Sequence, residues 1–329
     1  MKDVSYVLPL RRTGGAPPGQ LSTYLGWLAG RLDVIVVDGS PPADFDAHAA
    51  AWAGLGLRHV RPDPDVKVMN RKVAGVLTGL RLARGERVII ADDDVRYDDA
   101  ALRRVVRMLD DADLVRPQNF FDPCPWHARW DSARTLLNRA LGGDYPGTLA
   151  VRRTAVPAGY DGDVLFENLE LIRTVRARGG RVVTPLDCYV RRLPCSARHF
   201  WSQRVRQAHD DFAQPHRLAV ALSVVPVTAR WALRRQWLRM AAAAGTVVVV
   251  AEAGRRRAGG GHVFPRSASL FAPVWLAERG LCSWMAVGNR LLRGGCPYHG
   301  TVIRRAASSS RRLKVLNGAT GRFVSAGRG

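Results

Sequence analysis

Between residues 87 and 96 the chain reads Arg-Val-Ile-Ile-Ala-Asp-Asp-Asp-Val-Arg, and this stretch constrains the fold more than any other. The apolar run after Gly85-Glu86 has the length and composition of a buried strand in an α/β sheet. Three carboxylates follow at once, where such a strand would emerge. In open α/β sheets, ligands bind outside the carboxyl ends of the strands. Crowding three acids there costs self-repulsion, which a bound cation relieves. Taken alone, the run fits a cation site and a solvated turn that caps the next helix equally well.

The chain on either side repeats the theme. Residues 4–10 form a first strand, and residues 11–19 a loop rich in Gly and Pro. A helix is expected over 21–29, and a second buried strand over 33–37, ending in Asp38-Gly39-Ser40. Helical patterns over 44–54 and 69–84 flank a weak strand at 57–60. Strand and helix thus alternate to about residue 116, which predicts a mostly parallel, Rossmann-like sheet. Further on, residues 114–121 read as one strand running into a loop, 130–141 as a helix and 147–153 as another strand. A helix then opens near Asp163 and closes at Gly179-Gly180.

Charge divides the chain unevenly. Residues 1–189 hold 26 basic and 24 acidic side chains, and residues 190–329 hold 24 basic and 4 acidic. Of the net charge of +22, +20 therefore belongs to the C-terminal part (24 basic less 4 acidic). Two uncharged runs of 12 residues, 218–229 and 240–251, lie there, separated by Arg230, Arg234, Arg235 and Arg239. Each falls short of the roughly 20 apolar residues of a membrane span, although snorkelling arginines extend such a run. Tryptophans Trp201, Trp231, Trp237, Trp275 and Trp284 are interleaved with these arginines, a mixture suited to a lipid headgroup boundary. The expected organisation is a catalytic domain over 1–215, a basic, mainly helical, membrane-associated region over 216–305, and a flexible tail over 306–329. Cysteines 124, 188, 195, 282 and 296 form no CxxC pair, so neither a disulfide framework nor a structural zinc site is indicated. The N-terminus shows no signal-peptide pattern, and a reduced, cytosolic setting is expected.

Asp38 and the acids at 92–94 would share one sheet edge. An acid after an early strand suits a nucleoside, and a pair of acids one residue apart suits a divalent cation on a diphosphate. Glu167 and Glu170 open a later helix on one face. Either has the chemistry of a general base, and either also favours a helix N-terminus electrostatically.

The ordered segments VIVVDGS, NRKVAGVLTGLRLARGERVIIADDDVR, GTLAVRR, FENLEL and QRVRQ resemble the inverting family-two glycosyltransferases of GT-A fold. The segments resemble in particular the ceramide glucosyltransferase-like and bacterial membrane-associated members, and the resemblance covers roughly residues 3–210. It implies a nucleotide-sugar donor (UDP- or GDP-sugar) contacted by Asp38, Lys72, Asp92 and Asp93, with Mg²⁺ or Mn²⁺ held by Asp92 and Asp94. It also implies an acceptor site edged by Gly147 and Thr148. Where the family has Glu-Asp this chain has Glu167-Asn168, so Glu167 becomes the first candidate base and Glu170 the second. The family's late QxxRW appears as Gln203 with Arg206 but without its Trp: Arg206 is expected to stabilise charge on the leaving diphosphate, and Gln203, with Trp201 in place of the missing Trp, to contact the acceptor. The resemblance further implies a lipid or lipid-linked acceptor; with the basic, Trp-rich C-terminal part, an anionic membrane surface is the expected partner, and the expected place is the cytoplasmic side of the cell membrane, peripheral or with one or two short membrane segments.

Two other readings share some of these features. A sugar-nucleotide pyrophosphorylase uses the same sheet, but Arg11-Arg12-Thr13-Gly14-Gly15 lacks the full glycine-rich phosphate loop. A nucleic-acid-binding protein would explain the basic C-terminal part. The interleaving with apolar runs and tryptophans suits anionic lipid better, so no nucleic-acid partner is expected.

Overall fold

The computed structural model describes residues 1–315 except 2, 16, 18 and 299. The chain opens with β1 (Val4–Leu10), α1 (Gly19–Ala29), β2 (Asp33–Asp38), α2 (Pro42–Trp52), β3 (Arg58–Val60) and α3 (Arg71–Leu82). It continues through β4 (Arg87–Ala91), β5 (Val95–Arg96), α4 (Asp99–Met108) and β6 (Leu114–Val115). Then come β7 (Gln118–Phe121), α5 (Trp126–Ala140), β8 (Thr148–Arg152), α6 (Glu167–Ala177), β9 (Val182–Val183) and β10 (Tyr189–Arg192). The remainder is helical, α7 (Ala197–His209), α8 (Pro215–Leu233), α9 (Trp237–Arg256), α10 (Ser267–Leu270) and α11 (Ala272–Arg293), before a hairpin of β11 (Cys296–Tyr298) and β12 (Thr301–Ile303).

Two compact units divide these elements. The first comprises residues 1–116, 147–183 and the described residues from 308; the second comprises 117–146 and 184–307. A single boundary at residue 215 does not describe this division, because the chain passes between the units repeatedly. The expected strand over 114–121 is two strands, β6 and β7, one in each unit, with Arg116-Pro117 between them. Proline carries no N–H for a ladder, so a break at that point is favoured.

The first unit is built on a seven-stranded sheet of order β3-β2-β1-β4-β8-β6-β9. The pairs β1–β2, β1–β4, β2–β3 and β6–β9 are parallel, and β8 alone in this sheet runs antiparallel to both its neighbours. The mostly parallel α/β sheet is as expected. β1, β2 and β4 are almost wholly buried, which matches their unbroken apolar sequences. Helix α3 seats closely on β1 because Gly75 and Gly79 face it. A Cβ on Gly79 would lie 2.2 Å from Val7 Cγ1, and one on Gly75 would lie 2.9 Å from Pro9 Cβ. Part of the tail expected to be flexible over 306–329 is packed chain in this unit from 308. Ser308 is 2% exposed and Leu313 5%, and the rest of that expectation, 316–329, lies outside the described residues.

In the second unit α5 packs on α9 around Ala133, Leu136, Ala251, Phe264, Ala268 and Ala272. Arg139, fully buried on α5, is satisfied by the carbonyls of Gly254, Leu186 and Arg257, by Gln118 Oε1 and by the Tyr189 hydroxyl. A buried guanidinium needs such complete hydrogen bonding to be tolerated. The two uncharged 12-residue runs fall inside α8 and α9. The helical segment Trp237–His262 is long and apolar enough to cross a membrane by length and composition.

The close seating of α3 makes a direct prediction. Gly79→Ala is expected to lower stability by about 1–3 kcal/mol through overpacking against Val7. Adding Val7→Ala should recover part of that loss in the denaturation midpoint. A Gly79→Ala protein as stable as the parent would contradict the packing described.

Candidate donor and base site

The site grows from the end of β4. Asp92 follows the last strand residue, and its backbone N–H donates to Gly147 O at 2.8 Å, where β8 begins. Val95 N–H returns to Asp92 O at 3.1 Å, so Asp92, Asp93 and Asp94 form a tight turn over the strand end. Lys72 reaches this turn from α3, whose N-cap Asn70 accepts from Lys72 N–H at 3.1 Å. Asn70 Nδ2 in turn donates to Val164 O at 2.9 Å, tying the start of α3 to the segment leading into α6. Glu167 stands in the first turn of α6.

These three elements meet at one ammonium. Lys72 Nζ lies 2.5 Å from Asp92 Oδ1 and 2.7 Å from Glu167 Oε1, and all three side chains are mostly enclosed. Burial works against the lysine charge, but the carboxylates of Asp92 and Glu167 outweigh it and hold the ammonium above the ordinary lysine range. Tyr160 lies in the same environment. Its burial, reinforced by the Glu167 charge, pushes the phenol above its usual value and keeps it protonated.

Asp93 is engaged separately. Arg12, just after β1, donates to Asp93 Oδ2 at 2.6 Å. Asp94 completes the turn, partly buried, with the Arg96 guanidinium in its electrostatic neighbourhood. Arg96 itself donates to Asp93 O and Val95 O. A basic rim therefore balances part of the acidic turn.

Asp38 behaves differently from the expected nucleoside contact. It is fully buried, and its carboxylate is committed to Ser40 N–H (2.9 Å), His48 Nδ1 (2.6 Å) and His59 Nε2 (3.0 Å). Burial alone would raise its pKa; the hydrogen bonds from His59, Ser40 and His48 more than reverse that and hold it well below the usual carboxylate range. Asp38 instead supports the turn at a distance. Ser40 Oγ accepts from Arg12 N–H at 2.9 Å, and Arg12 holds Asp93. The ligand atoms of Asp38, His48 and His59 also lie within 4.8 Å of one another, close enough to surround a cation.

Two further expected residues are corrected. Thr148 is 1% exposed, with its hydroxyl donating to Ile90 O at 2.8 Å and paired with the Tyr97 hydroxyl at 3.0 Å. That enclosure within the sheet removes it as an acceptor contact. Glu170 is fully buried and its Oε2 accepts from Ser308 N–H at 2.5 Å, while Arg173 donates to Ser308 O at 2.8 Å. Glu170 therefore anchors the C-terminal segment on α6, and Glu167 remains as the candidate base. Gly147 is buried and acts through its carbonyl on Asp92.

Trp201, Gln203 and Arg206 belong to the second unit, all on α7. Arg206 Nε donates to Gln203 Oε1 at 2.7 Å, as their spacing of three allows. Trp201 is half exposed in an aromatic cluster with Trp126, Trp130 and Phe200, at centroid distances of 6.2, 5.6 and 5.0 Å. Arg204, unremarked in the sequence, is the buried arginine of this helix, held by Asp131 at 2.8 Å and Gln207 at 2.7 Å. His48 and His59 were also missed. The parallel pairing of β2 with β3 sets Val36 opposite His59, a register from which His59 was within reach of inference.

Residues 27–161 match the family model Glycosyl transferase family 2, a span that holds β2, Lys72, the acidic turn and β8. That region of the chain matches the glycosyl transferase family 2 domain. Mannosyltransferase PcManGT from Pyrobaculum calidifontis, solved with GDP-Man and Mn²⁺, is similar in fold, with a TM-score of 0.50 and 19% identity. That likeness covers 86% of this chain and 87% of the other. Glucosyl-3-phosphoglycerate synthase from Mycobacterium tuberculosis, solved with Mn²⁺, UDP-glucose and phosphoglyceric acid, gives a TM-score of 0.43 at 17% identity, over 63% of this chain and 78% of that one. No curated protein matches the chain significantly. The family match decides between the two enzyme readings in favour of the glycosyltransferase. Glu167 lies six residues past the matched span, so its place beside Asp92 comes from the geometry alone.

The Asp38 network makes the glycosyltransferase acid-sensitive in a defined way. Its lowered pKa contributes stability above the unfolded carboxylate's value of about 4, and that contribution is lost as the pH falls below it. Asp38→Asn is expected to lower the melting temperature at neutral pH and to flatten its decline in acid. A variant with an unchanged acid profile would contradict this role.

Proposed function

We propose that the protein transfers a sugar, with inversion, from a nucleoside-diphosphate sugar to a lipid-linked or membrane-embedded acceptor at the cytoplasmic side of the membrane. The observation that carries the proposal is the contact of Lys72 with both Asp92 and Glu167. It joins an acidic turn suited to a donor and its metal with a carboxylate suited to a proton acceptor.

The donor set of the turn fits Mg²⁺ or Mn²⁺. Asp92 and Asp94 offer hard oxygen ligands, and a diphosphate supplies more. Bound there, the metal would neutralise charge on the leaving diphosphate. Asp38, His48 and His59 make a buried, nitrogen-rich set that suits softer cations better. PcManGT was solved with GDP-Man and Mn²⁺, so GDP-sugars are to be tested beside UDP-sugars.

The remaining work falls to side chains. Glu167 accepts the proton of the acceptor hydroxyl. The freed oxygen forms a bond to the anomeric carbon as that carbon's bond to the diphosphate breaks, and nucleoside diphosphate leaves. One displacement on one face inverts the anomeric centre. Lys72 orients Glu167 before reaction and supplies positive charge beside Asp92. The lipid character of the acceptor is supported by the apolar helix Trp237–His262 and by the basic second unit.

Thermal shift with Mn²⁺ and a panel of UDP- and GDP-sugars tests the donor reading, since a ligand bound to the folded state raises the melting temperature. The true donor is expected to stabilise the parent and not Asp94→Asn. Glu167→Gln should keep that stabilisation and lose transfer at least 100-fold. Equal stabilisation of Asp94→Asn by the donor, or full transfer by Glu167→Gln, would overturn the assignment.

A further inference from the structure

Helix α11 carries two unlike faces. Its inner face buries Arg279, Gly280, Cys282, Ser283 and Ala286, and Cys282 and Ala286 pack with Ala208 of α7. Two of its charged side chains are tied inward, with Arg279 3.6 Å from Asp211 and Glu278 3.4 Å from Arg204. The outer face presents Val274, Leu281, Trp284, Met285, Leu291 and Leu292, each between 46% and 87% exposed. Their spacings of three, four and seven put them on one side of the helix. From Val274 to Leu292, 18 steps along the helix, that stripe runs about 27 Å. It contains no charge. Trp284 is fixed against the neighbouring helix by its Nε1, which donates to Leu222 O at 3.1 Å on α8.

We infer that this stripe of α11 lies in the plane of an anionic bilayer, holding the protein on the membrane without crossing it. The inference rests on the membrane reading proposed above and names the element and its mode of attachment. Crossing is disfavoured because the inner face of α11 is bound along its length to α7 and α8. A helix so pinned meets lipid on one side only, as interfacial amphipathic helices do.

Helix α9, although apolar, is a poorer candidate for crossing. From Val247 onward it packs on α5, with Ala251 buried and Gly254 O held by Arg139. The portion before Val247 is about 15 Å long, half of a bilayer core.

Charge selects the occupant. Arg290 and Arg293 lie in the last turn of α11. Arg230, Arg234, Arg235 and Arg239 surround the α8–α9 turn, and all six are solvent-exposed. Residues 190–329 as a whole hold 24 basic and 4 acidic side chains. Anionic headgroups complement that surface, and indoles and guanidiniums both settle at their level.

Vesicle flotation of the full chain tests this, using phosphatidylcholine alone or with phosphatidylglycerol. The parent should float with the anionic vesicles, release in alkaline carbonate and bind at least tenfold more weakly without phosphatidylglycerol. Leu291→Ser/Leu292→Ser should lose about tenfold or more in vesicle affinity while keeping the parent's melting temperature. Val249→Ser, an exposed change on α9, should bind within about twofold of the parent.

Carbonate-resistant binding would overturn the in-plane inference and leave the membrane reading intact. Loss of binding in Val249→Ser but not in the α11 variant would move the contact to α9 and overturn the inference as well. Absence of flotation with any vesicle would sink both. A soluble dimer that Leu291→Ser/Leu292→Ser dissociates would identify the occupant as a second copy and likewise overturn the proposal.

Discussion

One ammonium between two carboxylates holds the candidate site at the sheet edge of the first unit together. Lys72, Asp92 and Glu167 come from the start of α3, the end of β4 and the start of α6. Withdrawing a charge from water costs several kcal/mol, and a single partner at about 4 Å returns roughly 4 kcal/mol at an effective dielectric near 20. Two partners tip that balance, which is why the lysine charge strengthens despite burial. The converse is that removing Lys72 would leave two enclosed acids facing each other. The same arrangement that stabilises the edge makes it responsive to a ligand bearing negative charge.

Behind this contact stands a relay of ordinary hydrogen bonds. The Asp38 carboxylate holds the Ser40 backbone, the Ser40 hydroxyl accepts from the Arg12 backbone, and the Arg12 side chain holds Asp93. Three loops at the carboxyl edge of the sheet are thereby fixed to one another. His48 and His59 shield the buried carboxylate from the cost of its isolation. Asp38 is in this sense a positioning residue.

Much of this edge was legible in the sequence because local patterns determine it. The unbroken apolar runs of β1, β2 and β4 announce buried parallel strands, and acids just after them announce the ligand edge. Glu167 was preferred over Glu170 on motif alone, but the physical reason is remote. Ser308, 138 residues away, occupies Glu170, and no periodicity connects them. Thr148 was misplaced for a similar reason, since its hydroxyl is enclosed by Tyr97 from a different strand end. The passage between units at Arg116-Pro117 was hidden inside what read as one apolar segment. Helix α11 escaped notice because Glu278 and Arg279, which break up its apolar look, are consumed in ion pairs on its inner face.

The central claim is that the turn after β4, and not the Asp38–His48–His59 cluster, receives the donor's metal. Electron paramagnetic resonance of Mn²⁺ with UDP or GDP present tests it directly. The account predicts that Asp94→Asn weakens nucleotide-dependent Mn²⁺ binding at least tenfold and that His59→Asn leaves it within about twofold of the parent, as a hard ion on carboxylate oxygens requires. Loss of Mn²⁺ in His59→Asn with retention in Asp94→Asn would contradict it.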